Sequence, residues 1–384
     1  MDKFEIKDGV AIIPKGTREI PDNAFFGCSS LTTVIIPESV TKIGDAAFRA
    51  CTSLRKIVIP EGVTSIGSEA FRNCTGLTSI TIPESVTSIG KRAFYECSSL
   101  TAINIPEGVT SIEYGAFYDC SSLTAITIPE GVTSIGERAF YNCSSLTAIT
   151  IPESVTSIAN YAFSGCSKLT AVHISSLEAW RNIDFGDSFS NPLYYAKNLY
   201  LNGVLVTEHT IPNTVTAVKD YTFYNCSSLT SITIPESVTS IGSSAFSGCT
   251  SLQEIVIPSS ITEIESSAFR ACTSLRKIVI PEGVAEIGIS AFEACTSLRE
   301  IVIPKGVTSI RGAAFRRCSS LEIVHLPVGV SKFESGFHPH PFNDCNNLKV
   351  IYVPKKKVDY YKKRFPADMH WLIVEEDSAL PVKA

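Results

Sequence analysis

The segment Cys120-Ser-Ser-Leu-Thr-Ala-Ile-Thr-Ile-Pro-Glu-Gly-Val-Thr-Ser-Ile-Gly-Glu-Arg-Ala-Phe-Tyr-Asn142 is the unit from which most of this 384-residue chain is built. Its cysteine recurs every 23 residues in two blocks, with one longer final interval. The blocks comprise Cys28, Cys51, Cys74, Cys97, Cys120, Cys143 and Cys166, and then Cys226, Cys249, Cys272, Cys295, Cys318 and Cys345. A period of this length indicates a solenoid, whose repeats bury their apolar faces by stacking.

Apolar residues occupy fixed places in the unit and predict its local structure. Ile126 and Ile128 alternate with threonine, as expected of a short strand with one buried face. Pro129 follows and marks the end of that strand, because proline cannot donate to a sheet ladder. Val132 and Ile135 predict a second extended or turn-like segment, and Phe140 lies in a tight turn or short helical turn that buries one ring per coil.

The thirteen cysteines are predicted to be free thiols. Their number is odd, and equivalent side chains in a stack point the same way, so neighbouring thiols do not converge on a disulfide. Metal binding favours paired spacings such as C-x-x-C with nearby histidines, and the repeat has neither. We therefore expect a buried ladder of small apolar side chains, and no metal or other cofactor.

The pattern Cys-x-x-Leu-x-x-Ile-x-Ile-Pro-x-x-Val-x-x-Ile-Gly-x-x-Ala-Phe resembles the leucine-rich repeats of the BspA-like family, also called the Treponema pallidum type. The resemblance implies an α/β solenoid, a leucine-rich-repeat horseshoe with a parallel concave sheet. It also implies a bacterial or protozoan surface protein that binds a host matrix or cell-surface protein. It supplies no catalytic residues, because the family's repeat motif contains none.

The repeat is interrupted once, and this divides the chain. We expect an N-terminal hairpin cap and first turn at 1–27, repeat blocks at 28–173 and 211–353, an irregular insertion at 174–210, and a C-terminal cap at 354–384. Ser175 replaces the expected proline, and the next Ile-Pro, at Ile211, lies 37 residues beyond Ile174. One 37-residue irregular unit thus replaces a 23-residue repeat.

The insertion carries several local signals. Ser175-Ser176-Leu177-Glu178 predicts a capping box that opens a short helix through Trp180. Asn191-Pro192 predicts a turn, and 199–206 predicts a hairpin with a type I′ Asn-Gly turn.

Asp8-Gly9 predicts a similar hairpin near the start of the chain. Our hypothesis is that the insertion re-nucleates the second block through the hairpin at 199–206 and bends the solenoid axis.

The end of the chain also departs from the repeat. The final loop is four residues longer and contains His338 and His340, a pair that favours a loop over a metal site because no third ligand is visible. Residues 355–365 predict an amphipathic helix and 371–374 a final strand. Together they are expected to cap the last coil, where lysines discourage edge-to-edge association.

Candidate binding residues lie at the insertion and in the coils towards the ends, since the middle coils carry only small residues such as Thr124, Ala125 and Thr127. The predicted set is Trp180, Tyr194, Tyr195 and His173, together with Arg55, Lys56, Arg276, Lys277, Arg299, His325 and Tyr352. The aromatic residues of the insertion have an alternative role, which is to cover the apolar edge of the broken coil. Residues 47–63 and 268–284 are identical, so shared residues there also reflect duplication.

These features predict a monomeric, non-catalytic protein-binding or adhesion module. Two alternatives stay open: a glycan-binding surface protein, and an intracellular interaction scaffold. The net charge of −5 and the lack of basic runs interleaved with aromatics argue against nucleic acid, and no apolar stretch is long enough to span a membrane. The chain starts without a secretory signal, whereas the resemblance favours the cell surface, so its location is open.

Overall fold

The computed structural model describes residues 4–333 and 339–376. The chain forms two compact units, Met1–Leu205 and Val206–Ala384. Each unit is a solenoid whose coils contribute one longer strand, one two-residue strand and a series of turns. We call the two stacks of strands the long-strand row and the short-strand row.

In the first unit the long-strand row begins and ends with a hairpin. The row comprises Val10–Ile12, Thr33–Ile35, Lys56–Val58, Ser79–Thr81, Ala102–Asn104, Ala125–Thr127, Ala148–Thr150, Ala171–Ile174 and Leu199–Leu201. The short-strand row comprises Glu19–Ile20, Lys42–Ile43, Ser65–Ile66, Ser88–Ile89, Ser111–Ile112, Ser134–Ile135, Ser157–Ile158 and Asp184–Phe185. Hydrogen-bonded neighbours within each row are parallel and in register, as at Ile103 and Ile126.

The second unit repeats this arrangement. Its long-strand row comprises Glu208–Thr210, Ser231–Thr233, Glu254–Val256, Lys277–Val279, Glu300–Val302, Ile323–His325, Val350–Val353 and Ile373–Glu375. Its short-strand row comprises Ala217–Val218, Ser240–Ile241, Glu263–Ile264, Glu286–Ile287, Ser309–Ile310 and Lys332–Phe333. The predicted leucine-rich-repeat solenoid with 23-residue repeats is confirmed, with helix confined to a few short segments.

The core of each unit is a ladder of equivalent side chains. In the first unit the rings of Phe25, Phe48, Phe71, Phe94, Phe117, Phe140 and Phe163 stack with centroids 5.1–5.6 Å apart. The corresponding rings from Phe223 to Phe342 in the second unit lie 5.2–5.6 Å apart. The identical step of each coil places like rings in offset contact, which is more favourable than their buried area alone provides.

All thirteen cysteines are free, as predicted, and all except the half-buried Cys28 are buried. Most of the buried thiols donate a hydrogen bond to the carbonyl of the phenylalanine 26 residues earlier, as Cys143 does to Phe117 at 3.2 Å. Burial raises the pKa of these thiols, to about 12 for Cys74 and Cys166. The ladder is therefore neutral and its polar atoms are satisfied.

The 37-residue irregular unit is a coil of 27 residues followed by a ten-residue segment. Ile174 pairs with Leu201, 27 residues later, so this coil is four residues longer than a repeat, and ten further residues lead from Leu201 to Ile211. The extended coil contains two short helices, Leu177–Arg181 and Leu193–Ala196.

The predicted helix is present, but its N-cap is Ser176, whose Oγ accepts from the Ala179 amide at 3.1 Å. The predicted capping box therefore starts one residue too early, because Ser175 Oγ donates instead to Glu153 at 2.7 Å.

Both predicted hairpins form at the predicted residues, but the second one ends a strand row instead of starting one. Ile6–Lys7 pairs antiparallel with Val10–Ile12, which then starts the first row. Leu199–Leu201 continues the first row, and Val204–Leu205 turns back onto it through Asn202 and Gly203, both with positive φ. The second hairpin therefore ends the first unit, and Glu208–Thr210 starts the second, so the re-nucleation hypothesis was wrong in this respect.

The C-terminal cap has the predicted elements with shifted bounds. A helix spans Val358–Lys362, a 3₁₀ helix spans Ala367–Leu372, and the final strand, Ile373–Glu375, pairs in parallel with Val350–Val353. Tyr361 is the buried residue of the cap helix, and its hydroxyl donates to the carbonyl of Pro327. His338 lies outside the described residues. His340 packs against Phe365, with ring centroids 4.6 Å apart, and burial lowers its pKa to about 4.

Candidate functional site

An exposed aliphatic row lies on the long strands of the second unit. Each strand alternates, so that the central residue is buried and its two neighbours face solvent, as with Ile278 between Lys277 and Val279. The third strand residue is Val256, Val279 and Val302 in three successive coils, with exposed fractions of 74%, 61% and 41%. Val256 and Val279 are directly paired across neighbouring strands, and the strand of Val302 lies beside that of Val279 at the start of the next sheet. The three side chains therefore form an apolar strip along successive coils.

Charged residues border this strip. The first strand residue is Glu254, Lys277 and Glu300 in the same three coils, and Glu254 and Lys277 are directly paired. Arg276 and Arg299, one position earlier, are also exposed. We name these eight residues the second-unit strand face: Glu254, Val256, Arg276, Lys277, Val279, Arg299, Glu300 and Val302. A depression of about 520 Å³ lies over its last two coils.

A histidine–tyrosine pair lies at the end of the strip. His325 is paired with Tyr352 across neighbouring strands, and their rings stack with centroids 5.0 Å apart. His325 Nε2 lies 3.3 Å from Glu300 Oε1, and Nδ1 lies 2.9 Å from Glu376 Oε1. The structure therefore brings five predicted residues to one face and adds acidic groups that hold the imidazole in place. The five are Arg276, Lys277, Arg299, His325 and Tyr352.

The first unit has a related arrangement. Its third strand residues are Ile12, Ile35 and Val58, all exposed, followed by polar residues through Thr150. The predicted Arg55 and Lys56 are exposed beside Val58. His173 pairs with Tyr200 with centroids 5.1 Å apart, so the row of the first unit also includes a histidine–tyrosine pair. Arg55 and Lys56 therefore lie on a separate unit from Arg276 and Lys277, their duplicates.

Trp180, which we predicted as a binding residue, is buried in the structure. Its exposed fraction is 1%, and its ring packs against Phe185 with centroids 5.2 Å apart. The ring fills the coil widened by the insertion, which is the alternative role considered for these aromatics.

Tyr194 and Tyr195 are half-buried, and Tyr194 packs against Phe189 at 4.5 Å. Tyr195 accepts a hydrogen bond from the Gly165 amide at 3.0 Å, so this tyrosine holds the insertion to the preceding coil.

Sequence reasoning missed two features. The sequence did not reveal the aliphatic strip, because Val256, Val279 and Val302 lie within apolar segments that resemble buried strands. The second feature is a row of half-buried tyrosines on the turns of the first unit, Tyr95, Tyr118 and Tyr141, whose rings stack at 4.3 and 4.7 Å. Their 23-residue spacing is visible in the sequence and would have revealed the row.

Arginines flank the tyrosine row. Hydrogen bonds from Arg92 and then Arg138 lower the pKa of the Tyr114 hydroxyl, which accepts them. Burial, followed by the neighbouring Tyr95, raises the pKa of Tyr118 to about 12. Hydroxyl groups and arginine side chains therefore lie together along the row.

Among the described residues, no group of three or more histidine, cysteine or acidic side chains has a metal-binding arrangement. Glutamates at the turn after the strand contact neighbouring coils, as where Glu84 accepts from the Glu107 amide at 3.1 Å. None of the helices in the described part of the chain has the length and apolar character needed to traverse a bilayer.

The fold and the exposed strand face define a class, the leucine-rich-repeat solenoids. Within this class the chain belongs to the BspA-type leucine-rich repeat family, whose model matches residues 10–112, 87–191, 195–322 and 272–367. Proteins of this family are generally protein-interaction or surface-associated repeat proteins, and their fold is typically non-enzymatic.

Two solved bacterial structures are similar over nearly the whole chain. A leucine-rich repeat protein from Bacteroides ovatus is 29% identical, with 96% of this chain and 92% of that chain covered and a TM-score of 0.72. A leucine-rich cell surface protein from Faecalibacterium prausnitzii is 30% identical, with 93% and 90% covered and a TM-score of 0.51. The comparison with curated proteins found no match.

Proposed function

We propose that this chain is a non-catalytic protein-binding module with an adhesive role, and that the second-unit strand face contacts its protein partner. The observation that carries this proposal is the strip of Val256, Val279 and Val302, three exposed aliphatic side chains in adjacent strands. Single exposed aliphatic residues are ordinary on protein surfaces, whereas contiguous ones rimmed by charge are typical of interaction sites.

The chemistry of the face supports a protein as the partner. Burial of one exposed valine contributes about 1.5–3 kcal/mol, so three adjacent valines provide the apolar centre of an interface. Lys277, Arg276 and Arg299 lie among Glu254 and Glu300, and this mixed rim favours a surface of mixed charge over a uniformly anionic polymer.

An adhesive role at the cell surface is supported by the relatives. The similar protein of Faecalibacterium prausnitzii is a cell surface protein, and the BspA-like resemblance favours a host matrix or cell-surface protein as the partner. Binding to immobilised fibronectin, laminin and collagen is the direct test of this part, with intact epithelial cells as a second set of targets.

The duplicated segment provides a matched pair of variants. Val279 and Val58 lie in identical 17-residue sequences, but Val279 lies between Val256 and Val302. Val58 is instead the last exposed aliphatic residue of its row, after Ile12 and Ile35, and is followed by Thr81. We expect Val279→Arg to weaken binding at least tenfold to whichever of these targets the unmodified chain binds, because the variant places a charge in the apolar centre of the face. Val58→Arg is expected to change binding less than threefold.

Three results would contradict the proposal. These are no binding of the unmodified chain to any protein target, equal loss in both variants, and loss with Val58→Arg alone. Far-ultraviolet circular dichroism and thermal unfolding confirm that both variants fold, which is expected because both side chains are exposed. Sedimentation velocity tests the accompanying expectation that the chain is a monomer.

A further inference from the structure

The stacked tyrosine row of the first unit ends abruptly at a small residue. Tyr95, Tyr118 and Tyr141 each follow the buried phenylalanine of their coil, and in the next coil Ser164 holds this position. One face of the Tyr141 ring is covered by Tyr118 at 4.7 Å. In the next coil, where a further ring of the row would stack on Tyr141, the equivalent side chain is that of Ser164.

An open depression of about 530 Å³ lies over this gap and extends along the row. It is lined by Tyr95, Tyr114, Tyr118, Arg138, Tyr141, Tyr161, Ser164 and Phe189. Tyr161 and Phe189, with centroids 5.9 Å apart, form the wall at the end near Ser164. The depression is therefore lined by Tyr141, whose ring stacks with Tyr118 alone among the described aromatic contacts, and is bordered by hydroxyl groups over about four coils.

The local sequence alone does not create this opening. The pentapeptide Ala-Phe-Ser-Gly-Cys occurs at 162–166 and again at 245–249. Its serine is half-buried beside the depression at Ser164, whereas Ser247 is only 3% exposed. The difference arises from the tyrosines of the preceding coils and from Phe189, which the insertion supplies.

The charges around the depression are matched. Arg138 is the one charged side chain among the described residues that line it, and its NH1 atom lies 2.5 Å from Glu137 Oε1. The same guanidinium lies over the Tyr161 ring, 5.2 Å from its centroid. A ligand in this depression therefore meets ring faces, hydroxyl groups and a neutralised arginine, rather than a free cation.

We propose that this depression binds a neutral oligosaccharide, with one pyranose ring stacked on the free face of Tyr141. The C–H face of a pyranose is apolar and carries the slightly positive polarisation that suits the negative face of an aromatic ring. Its hydroxyls need donors and acceptors, which the tyrosine hydroxyls, Ser164 and Arg138 supply. The length of the groove suits several linked sugars, because successive coils lie about 4.8 Å apart.

The rival occupant is an aromatic side chain of a protein partner. Such a ring fits the gap above Tyr141, but it uses little of the groove and makes few hydrogen bonds with the surrounding hydroxyl groups. The hydroxyl groups of a sugar can both donate to them and accept from them. The polar border therefore favours the sugar.

The test uses the full chain on an array of neutral oligosaccharides of glucose, galactose, mannose and N-acetylhexosamines, followed by calorimetric titration of the best binder. Ser164→Tyr adds the missing ring and fills the gap, and we expect it to weaken binding at least tenfold. Ser164→Ala leaves the gap open and is expected to retain affinity within threefold.

A second pair of variants addresses the stacking platform. Tyr141→Ser removes the ring and is expected to weaken binding at least tenfold, whereas Tyr141→Phe keeps the ring and is expected to retain affinity within about threefold. Val279→Arg is expected to bind the oligosaccharide normally, because it lies on the other unit, so failure of the proposed protein-binding role leaves this result unaffected.

Four outcomes would overturn the inference. They are no neutral glycan bound by the unmodified chain, equal binding by Ser164→Tyr, equal binding by folded Tyr141→Ser, and millimolar binding of N-acetyltryptophanamide in place of any sugar. Circular dichroism and thermal unfolding accompany each variant, and Ser164→Tyr is expected to fold because it copies the ring of the three preceding coils.

Discussion

The repeated cysteine shows how a single residue position is governed by its neighbours in the stack. A thiol is small enough to fit beside the phenylalanine ladder, and its weak donor reaches the carbonyl of the coil before, as from Cys166 to Phe140 at 3.2 Å. A larger side chain would separate the coils, because protein interiors tolerate little added volume. The sequence predicted this burial and the free thiols from spacing alone.

The thiol ladder predicts a marked loss of stability in alkali. Burial raises the pKa of Cys74 and Cys166 to about 12, against about 8.5 in an unfolded chain. Between these values the unfolded state holds fewer protons, so the stabilisation is complete below about pH 8.5 and is lost as the pH rises towards 12. Urea unfolding at pH 7.5, 8.5, 9.5 and 10.5, with reductant present, measures the expected decrease in the free energy of unfolding.

The control for this prediction is Cys166→Ala. Each thiol that ionises on unfolding contributes a slope of up to about 1.4 kcal/mol per pH unit. We therefore expect the variant to be less stable at pH 7.5 but to decline less steeply than the unmodified chain. A free energy of unfolding that stays constant from pH 7.5 to 10.5 is incompatible with a buried neutral ladder.

At the scale of elements, the insertion behaves as a modified coil with its own core. The helix Leu177–Arg181 brings Trp180 inward, and Asp184–Phe185 continues the short-strand row of the first unit. Each unit contains one such extended coil, since Val324 pairs with Ile351 27 residues later, as Val172 does with Leu199. Longer coils next to a histidine–tyrosine pair are therefore a shared feature of both units.

The two tryptophans of the chain test the role of this insertion. Trp180→Ala removes a ring that is 1% exposed and is expected to lower the free energy of unfolding of the first unit by about 3–5 kcal/mol. Trp371→Ala, at a residue that is 71% exposed, is expected to change stability by less than about 0.5 kcal/mol. Chemical unfolding followed by circular dichroism provides the measurement.

Acrylamide quenching gives an independent check on the same pair. In the folded chain, the Trp371→Ala variant retains only Trp180 and should be quenched weakly, whereas Trp180→Ala retains Trp371 and should be quenched strongly. Strong quenching of Trp180 in the folded protein would return it to the list of binding residues.

For the whole molecule, the two compact units predict two separable unfolding transitions. The hydrogen-bonded row of the first unit ends at Val204–Leu205, and a new row starts at Glu208–Thr210. In a solenoid, stability is the sum of the coils and their interfaces with nearest neighbours, so a break in pairing weakens cooperativity across it. The bend proposed at the insertion stays a prediction.

Matched core variants test this division. Phe140→Ala opens a cavity in the first unit and Phe269→Ala opens one in the second. Each variant is expected to lower the free energy of unfolding of its unit by about 3–5 kcal/mol. Hydrogen exchange followed by mass spectrometry should show faster exchange confined to residues 4–205 in the first variant and to residues 206–376 in the second. Faster exchange throughout the chain in both variants would instead show one cooperative solenoid.

The amino-acid sequence was sufficient to predict the coil, with its length, its buried positions, its free thiols, both hairpins and the family. These features follow from 23-residue periodicity and local turn chemistry, which act within a coil or between nearest neighbours. Which exposed residues lie together is set by the three-dimensional packing of the coils. The strip at Val256 and the gap at Ser164 depend on what the adjacent coils place beside each position, and Trp180 is core only because the widened coil closes over it. Local signals cannot specify such neighbours, because each surface is formed by residues at least one full coil apart.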